Sequence, residues 1–479
     1  MTWLLLTLHI LLIAGFGLRI LLRRDMRPDV RLAWLMVIVL VPYVSCLLYY
    51  LFGEVALGRW PSKKRLNVRT FCESQGIRVS PSDAPDFGHI LPQWQPAFRY
   101  ASSINRFQAL PGHHAELMRD GAHARAQMVA DMDAAQHEIN VLYYIWLTDQ
   151  TGTEVAHALI RAAKRGVTCR AMVDGLGSRA LTRSPLWQEM EQGGVHLAIA
   201  LPIDYPLKVM LTSRIDLRNH RKITLIDQQI TYIGSQNCAD EAFHVKPRFA
   251  PWVDIMLRMQ GPVVAQMQQT FASDWAQSAA KIPAPSCPAP QQPASSPGFT
   301  AVAIAEGPSE RPRSTPQLVA SLLTSAHREV TISTPYFVPD STVLDALCAA
   351  SLRGVQVTLI LPARNDSWIV GGVSRSHYWR LLNAGVHVYE YRPGLLHAKT
   401  LCLDGMVTLI GSTNLDLRSF DLNFENNVLL QDEATTAAIM ARQQSYLSDS
   451  HAVTLEQVRA IPRLKRIWDN LLGALSPVL

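Results

Sequence analysis

The sequence predicts an α/β protein of two related halves behind an N-terminal pair of apolar helices. Three observations carry this expectation: two charge-free apolar runs at the start, a strand–helix–strand pattern that occurs twice, and one polar spacing repeated at corresponding places.

The first apolar run, Met1 to Leu18, contains no Asp, Glu, Lys or Arg, and Ile20 to Leu22 extend it past Arg19. The second, Ala33 to Phe52, is also free of those charges. Each is about 20 residues, enough to cross ~30 Å of hydrocarbon as a helix, and Pro42 is tolerable in a membrane helix. A cleaved signal peptide would need a basic start and a small-x-small site, and neither Met1-Thr2-Trp3 nor the run up to Arg23 provides them. The intervening Arg23 to Arg31 has room only for a tight turn, so residues 1–53 are expected to form a transmembrane helical hairpin. The arginines of that turn nearly balance Arg59, Lys63, Lys64, Arg65 and Arg69 after the second run, so loop charge alone does not fix the orientation.

At 479 residues the chain has material for two or more domains. Its net charge of +6 suits an anionic surface or substrate but falls short of a nucleic-acid-binding pattern. The seven cysteines are scattered and form no C-x-x-C pair, which fits unpaired thiols in a reducing compartment.

The duplication begins near Ala101. One copy runs His137-Glu138-Ile139-Asn140-Val141-Leu142-Tyr143, a helical stretch ending Arg165-Gly166-Val167, then Cys169 to Asp174. The other runs Arg328-Glu329-Val330-Thr331-Ile332-Ser333, a helical stretch ending Arg353-Gly354-Val355, then Val357 to Leu361. Such β-branched runs separated by helices predict βαβ units and a mostly parallel sheet covered by helices. The Pro-rich residues 281–298 read as a linker between halves at 101–280 and 299–479, and 54–100 as a connector from the hairpin.

The polar spacing is His220-Arg221-Lys222, then Asp227, then Gly234-Ser235-Gln236-Asn237. It recurs as His397-Ala398-Lys399, Asp404, Gly411-Ser412-Thr413-Asn414. A lone H-x-K means little, but two complete copies at equivalent points of a duplication are not accidental. In a strand His and Lys at i and i+2 share a face, and Asp404-Gly405 suits a hairpin turn that brings Gly-Ser-x-Asn back beside them. Ser235, Asn237, Ser412 and Asn414 then offer neutral donors to a phosphate oxygen. If the halves meet about a pseudo-two-fold axis, two imidazoles and two ammonium groups surround one phosphodiester, a preorganised electrostatic site. No Cys/His ligand set or H-E-x-x-H is present, so no metal and no cofactor are expected.

These residues resemble the HKD motif of the phospholipase D superfamily, over essentially the whole chain from residue 101. The hairpin, the Arg218-Asn219-His220 context and Gly411 to Ser419 are similar to bacterial cardiolipin synthases in particular. The resemblance implies two pseudo-two-fold-related lobes of phospholipase D type with the site between them. It also implies a catalytic set of His220, Lys222, Asp227, His397, Lys399 and Asp404, with His220 as nucleophile and His397 as general acid, then base. The expected reaction joins two phosphatidylglycerol molecules with release of glycerol.

A nucleophilic histidine needs a carboxylate on its other ring nitrogen, and Asp254 and Glu425 stand at equivalent places downstream. Asp227 and Asp404 read better as turn residues than as proton carriers. Arg214, Arg218 and Arg418 fit a second lipid phosphate or a solvated basic face equally well, and His137, His196, His327 and His387 read as ordinary surface or core residues. The expected partners are phosphatidylglycerol and membrane lipids, without nucleic acid. The expected location is the bacterial inner membrane, multi-pass, with the lobes in the cytoplasm, as the thiols and Lys63-Lys64-Arg65 favour. A membrane-bound phospholipase D that uses water is the alternative chemistry; a non-catalytic scaffold is the alternative of another class, against which two intact motifs argue.

Overall fold

The computed structural model describes residues 2–24, 26–53, 66–76, 87–203, 214, 216–279, 282–288 and 297–475. Half of the expected linker and much of the connector, including Lys63, Lys64 and Arg65, lie outside the described residues.

The N-terminal runs form helices Thr2–Leu22, Pro28–Leu40 and Pro42–Phe52. The second run is thus not one continuous helix. Pro42 has no N–H to donate and its ring crowds the preceding turn, and Val41 leaves helical geometry at φ −138°, ψ 66°. The Ser45 hydroxyl lies 2.6 Å from the carbonyl oxygen of Val41 and 3.0 Å from that of Val37, so its one proton meets the backbone at the break. Phe16 and Trp34 pack edge-on against Tyr49, which ties the three helices together. Among the described residues no helix is long and apolar enough to cross a membrane.

The rest is built around a single sheet, whose seven-strand halves are related strand for strand. The first half supplies β1 (Leu110–Leu117), β2 (Glu138–Tyr143), β3 (Thr168–Asp174), β4 (His196–Ala200), β5 (Arg218–Asn219), β6 (Ile223–Ile226), β7 (Ile230–Gly234), β8 (Trp252–Val253) and β9 (Met256–Gln260). The second supplies β10 (Phe299–Glu306), β11 (Glu329–Ser333), β12 (Phe337–Val338), β13 (Gln356–Pro362), β14 (His387–Tyr391), β15 (Leu395–Leu396), β16 (Thr400–Leu403), β17 (Val407–Gly411), β18 (Leu415–Asp416), β19 (Asn423–Gln431) and β20 (Ser450–Ala452). From the seam outward, β1-β9-β7-β6-β2-β3-β4 mirrors β10-β19-β17-β16-β11-β13-β14, with β1 paired antiparallel to β10.

The expected βαβ units are present, but the sheet is mixed. Along the main strand order, parallel pairing is confined to the outer strands β2-β3-β4 and β11-β13-β14, with β5 added in parallel beside β19, while the motif strands are antiparallel hairpins, β6-β7 and β16-β17. Buried strands of both kinds have the same β-branched composition, so composition does not separate them. The two R-G-V exits close their helices identically. Val167 N–H donates to Ala162 O and Gly166 N–H to Ala163 O; Val355 and Gly354 repeat this on Ala350 and Ser351. Gly166 and Gly354 lie at φ +93° and +94°, the left-handed cap that glycine adopts without strain.

Helix Gln95–Asn105 spans the expected start of the first half at 101, yet it packs on the second. Asn105 exchanges hydrogen bonds with Ala305 and donates to Glu310, and Tyr100 donates to Gln317. Residues 282–288 run back along helix Val263–Ser278, where Gln269 donates to Pro288 O at 2.8 Å. The halves are therefore joined by more than the seam.

Candidate active site

Each motif histidine directly follows a two-residue strand, and that strand pairs in parallel with two residues of the opposite half. Arg218 and Asn219 of β5 pair with Asn423 and Phe424 of β19; Leu395 and Leu396 of β15 pair with Trp252 and Val253 of β8. The next residues in register are His220 beside Glu425, and His397 beside Asp254. His220 Nδ1 lies 2.9 Å from Glu425 Oε2, and His397 Nδ1 lies 2.6 Å from Asp254 Oδ1. The structure thus brings both carboxylates to the histidines and crosses them over: each half orients the other half's imidazole.

Hydrogen bonds hold the carboxylates in turn. Ser235 Oγ donates to Asp254 at 2.6 Å and Ser412 Oγ donates to Glu425 at 2.5 Å. Each serine oxygen also accepts a backbone N–H, from Ile255 at 3.0 Å and Asn426 at 2.9 Å. A hydroxyl has one proton to give. With that proton committed to a carboxylate, Ser235 and Ser412 are not the phosphate donors that the sequence led us to expect; they fix the groups that orient the histidines. Asn237 fits the donor reading better, because its Oδ1 accepts from Ile145 N–H at 3.3 Å and its amide N–H protons make no bond among the described residues. Asn414 donates to Ser419 at 3.2 Å, while its Oδ1 is buried without a partner among the described residues.

Lys222 and Lys399 are buried, and each ammonium donates one proton to the carbonyl of its own motif histidine, at 2.8 and 2.7 Å. Among the described residues the other protons have no acceptor and can meet a ligand. Burial pushes Lys222 down to about 8 and Lys399 down to about 7, against the pull of Glu425 and Asp254. Burial, with help from both ammonium groups, takes His220 and His397 down to about 4. Burial opposes ionisation of Asp254, but His397, Lys399 and Ser235 outweigh it and leave the carboxyl at about 2. Burial likewise raises Glu425, and His220, Lys222 and Ser412 bring it below its ordinary value. The consistent state at neutral pH is a neutral imidazole that donates from Nδ1 to a carboxylate and presents the Nε2 lone pair.

Asp227 and Asp404 do not join this cluster. They stand at the far ends of β6 and β16, at φ +51° and +52°. Asp227 accepts backbone N–H bonds from Gln136, His137 and Glu138, and Asp404 from His327, Arg328 and Glu329. They pin the hairpin turn to the start of β2 and β11 and are removed from the catalytic set. The three arginines are committed as well. Arg218 is buried against Asp174 and Leu201 O, Arg214 pairs with Asp216, and Arg418 donates to Asp216 O. Arg218 is thus no part of a solvated face.

The family model described as "Cardiolipin synthase, PLD-like domain" matches residues 128–275 and 319–446, more than half the chain. The chain belongs to the cardiolipin synthase family. A second model, "Phospholipase_D-nuclease N-terminal", matches residues 3–54. Cardiolipin synthase A of Serratia proteamaculans (strain 568) is 35% identical over 492 residues, covering 100% of this chain and 98% of that protein. Cardiolipin synthase A of Shigella flexneri is 34% identical with the same coverage. In fold, the crystal structure of phosphatidylserine synthase from Haemophilus influenzae Rd KW20 covers 80% of this chain and 100% of its own, at TM-score 0.58 and 15% identity.

For a cardiolipin synthase site, reading the motif alone misses three neighbours. Arg221, the middle residue of the first motif, is buried and pairs with Asp274 at 2.7 Å while donating to the carbonyls of Glu425 and Glu306 at 3.0 Å each. It locks Glu425 in place from the half that Glu425 serves. The second motif has Ala398 there, and that difference was the available signal. Tyr144 lies 4.8 Å from the His220 ring and Trp252 lies 4.6 Å from the His397 ring, so an aromatic face flanks each imidazole.

Proposed function

We propose that the site transfers a phosphatidyl group from one phosphatidylglycerol to the terminal hydroxyl of another, through a phosphohistidine on His220. His220 Nε2 forms a bond to phosphorus as the bond from phosphorus to the glycerol oxygen breaks, and His397, which takes up a proton at Nε2 as the anionic phosphodiester enters, delivers that proton to the oxygen. In the second step the acceptor hydroxyl gives its proton to His397 and its oxygen replaces the imidazole on phosphorus, giving cardiolipin. The observation that carries this reading is the crossed pair of imidazoles, each aligned at Nδ1 by a carboxylate, with Nε2 unbonded among the described residues. The fixed ammonium groups of Lys222 and Lys399 supply stabilisation of the phosphorane's developing charge. One phosphodiester is exchanged for another, so the reaction needs no nucleotide. Product analysis with phosphatidylglycerol as sole lipid tests the proposal.

The site's electrostatics give a pH profile. The reaction needs His220 neutral and His397 and the lysines protonated. Activity measured as kcat/KM is expected to be lost as pH falls through about 4, where His220 gains a proton, and to decline on the alkaline side, first as the proton that His397 must carry becomes scarce and then at about 7 to 8, where Lys399 and Lys222 lose theirs. Replacing Lys399 by arginine, which stays charged, should move the alkaline limb upward. An alkaline limb unmoved by that change would detach it from the lysine.

The N-terminal helices are proposed to hold the chain in the bacterial inner membrane with the lobes in the cytoplasm. The apolar runs and the thiols, which among the described residues are all free and mostly buried, support this placement. A protease-sensitive tag inserted near Gln291 should be protected in intact spheroplasts. Cleavage from outside would overturn the orientation.

A further inference from the structure

Helix Arg463–Leu475 carries apolar residues at Leu464, Ile467, Trp468 and Leu471, the i, i+3, i+4, i+7 stripe that normally faces a core. Here the stripe faces outward. Leu464 is 83% exposed and Ile467 64%, with Trp468 and Leu471 about half exposed. The opposite side attaches the helix: Asp469 pairs with Arg375 at 3.4 Å, and Leu472 is buried with Val338 and Val373. Trp468 stacks on Trp368, itself 65% exposed, at the start of the neighbouring helix Trp368–Asn383.

Two further observations say what covers this face. Its surroundings are cationic: Arg463, Lys465 and Arg466 on the same helix are exposed and pair with no carboxylate among the described residues, and Arg364 lies four residues before Trp368 in sequence. The patch also adjoins the site. Asp366, two residues before Trp368, accepts from Tyr336 at 2.8 Å and from Lys246 at 2.6 Å. Lys246 lies in the exposed segment His244-Val245-Lys246 of the first half, and Val338, against which Leu472 packs, pairs in β12 with Asp416 of β18, two residues after Asn414 of the second motif. A stripe of Leu, Ile and paired Trp edged by Arg and Lys has the composition of a helix that lies in the interface of an anionic bilayer.

We propose that the Leu464–Leu471 face, with Trp368, seats the second lobe on an anionic phospholipid leaflet and brings the site mouth to lipid that it turns over. This rests on the substrate being a membrane phospholipid, whichever product forms. The test uses the full chain reconstituted in phosphatidylglycerol vesicles with brominated acyl chains, and the double variant L464E/I467E, altered only at exposed positions. Turnover is counted as phosphatidylglycerol consumed, so a hydrolase would give the same result as a synthase. The variant should show weaker quenching of tryptophan fluorescence and about tenfold slower turnover of vesicle lipid, with unchanged turnover of a short-chain phosphatidylglycerol presented as monomers. Quenching and vesicle turnover equal to the parent's would overturn the proposal. Equal losses on both substrates would also overturn it, by assigning the helix to support of the site. A change in oligomeric state by light scattering without a change in quenching would assign the face to a second copy of the chain instead.

Discussion

Alanine in place of His220 or His397 is expected to lower turnover of phosphatidylglycerol by about 10⁴-fold or more while leaving a folded protein, because the covalent and proton-transfer roles act as one unit. The double variant should be little worse than either single one. Both side chains are nearly buried, His220 at 8% and His397 at 2% exposure, and each sits at a lobe junction between a carboxylate and one aromatic ring, so alanine removes a polar contact and a single ring contact. Thermal melting monitored beside activity separates the two effects. Labelled substrate trapped by acid quench should leave phosphate on His220. Label on His397 would keep the mechanism and exchange the roles, and near-normal turnover in either variant would remove them.

The second large effect comes from the crossover. Glu425→Gln should cost about 10³-fold, because Ser412 and Asn423 already donate to its two oxygens and an amide N–H₂ must then face a donor or turn the His220 tautomer around. Asp254→Asn should cost a similar factor at His397. The two losses are distinguishable by leaving group. A phosphatidyl ester of p-nitrophenol departs without protonation, so Asp254→Asn and His397→Ala should regain its release, while Glu425→Gln and His220→Ala should not. The opposite pattern, with Glu425→Gln rescued, would mean that each carboxylate serves its own half. Since each half completes the other's histidine, neither half alone should turn over lipid.

The reason that pairing could not be read from the sequence is physical. His220 and Glu425 are 205 residues apart, and their meeting depends on the register of β5 against β19, which is set by packing across the whole lobe junction. What was legible was local. The R-G-V exits are helix caps whose hydrogen bonds close within six residues, and the H-x-K to Gly-Ser-x-Asn spacing is one hairpin, β6-β7 or β16-β17. Asp227 and Asp404 show the limit of motif reading. They keep their place in the pattern because a left-handed turn and three backbone N–H groups require a carboxylate there, not because they reach the phosphate. Ser235 and Ser412 show another limit: a sequence reveals a donor but not its acceptor. The break at Pro42 was visible as a proline but was read as a tolerated kink, and the fold places two helices there.

A synthase differs from a hydrolase in one respect: a lipid hydroxyl, not water, receives the phosphatidyl group. Water competes at every turnover, but a well-oriented acceptor has an effective molarity of ~10⁵ M or more, which outweighs ~55 M water if the site holds the hydroxyl in place. Tyr144 and Trp252 flank the two imidazoles and would limit access for bulk water. The decisive measurement is mass spectrometry of the products formed by the purified chain in bilayers of phosphatidylglycerol alone, with chelator present and no nucleotide. Transfer to lipid predicts cardiolipin and glycerol in equal amounts with phosphatidic acid as a minor leak. Phosphatidic acid as the dominant product in undiluted phosphatidylglycerol would contradict it.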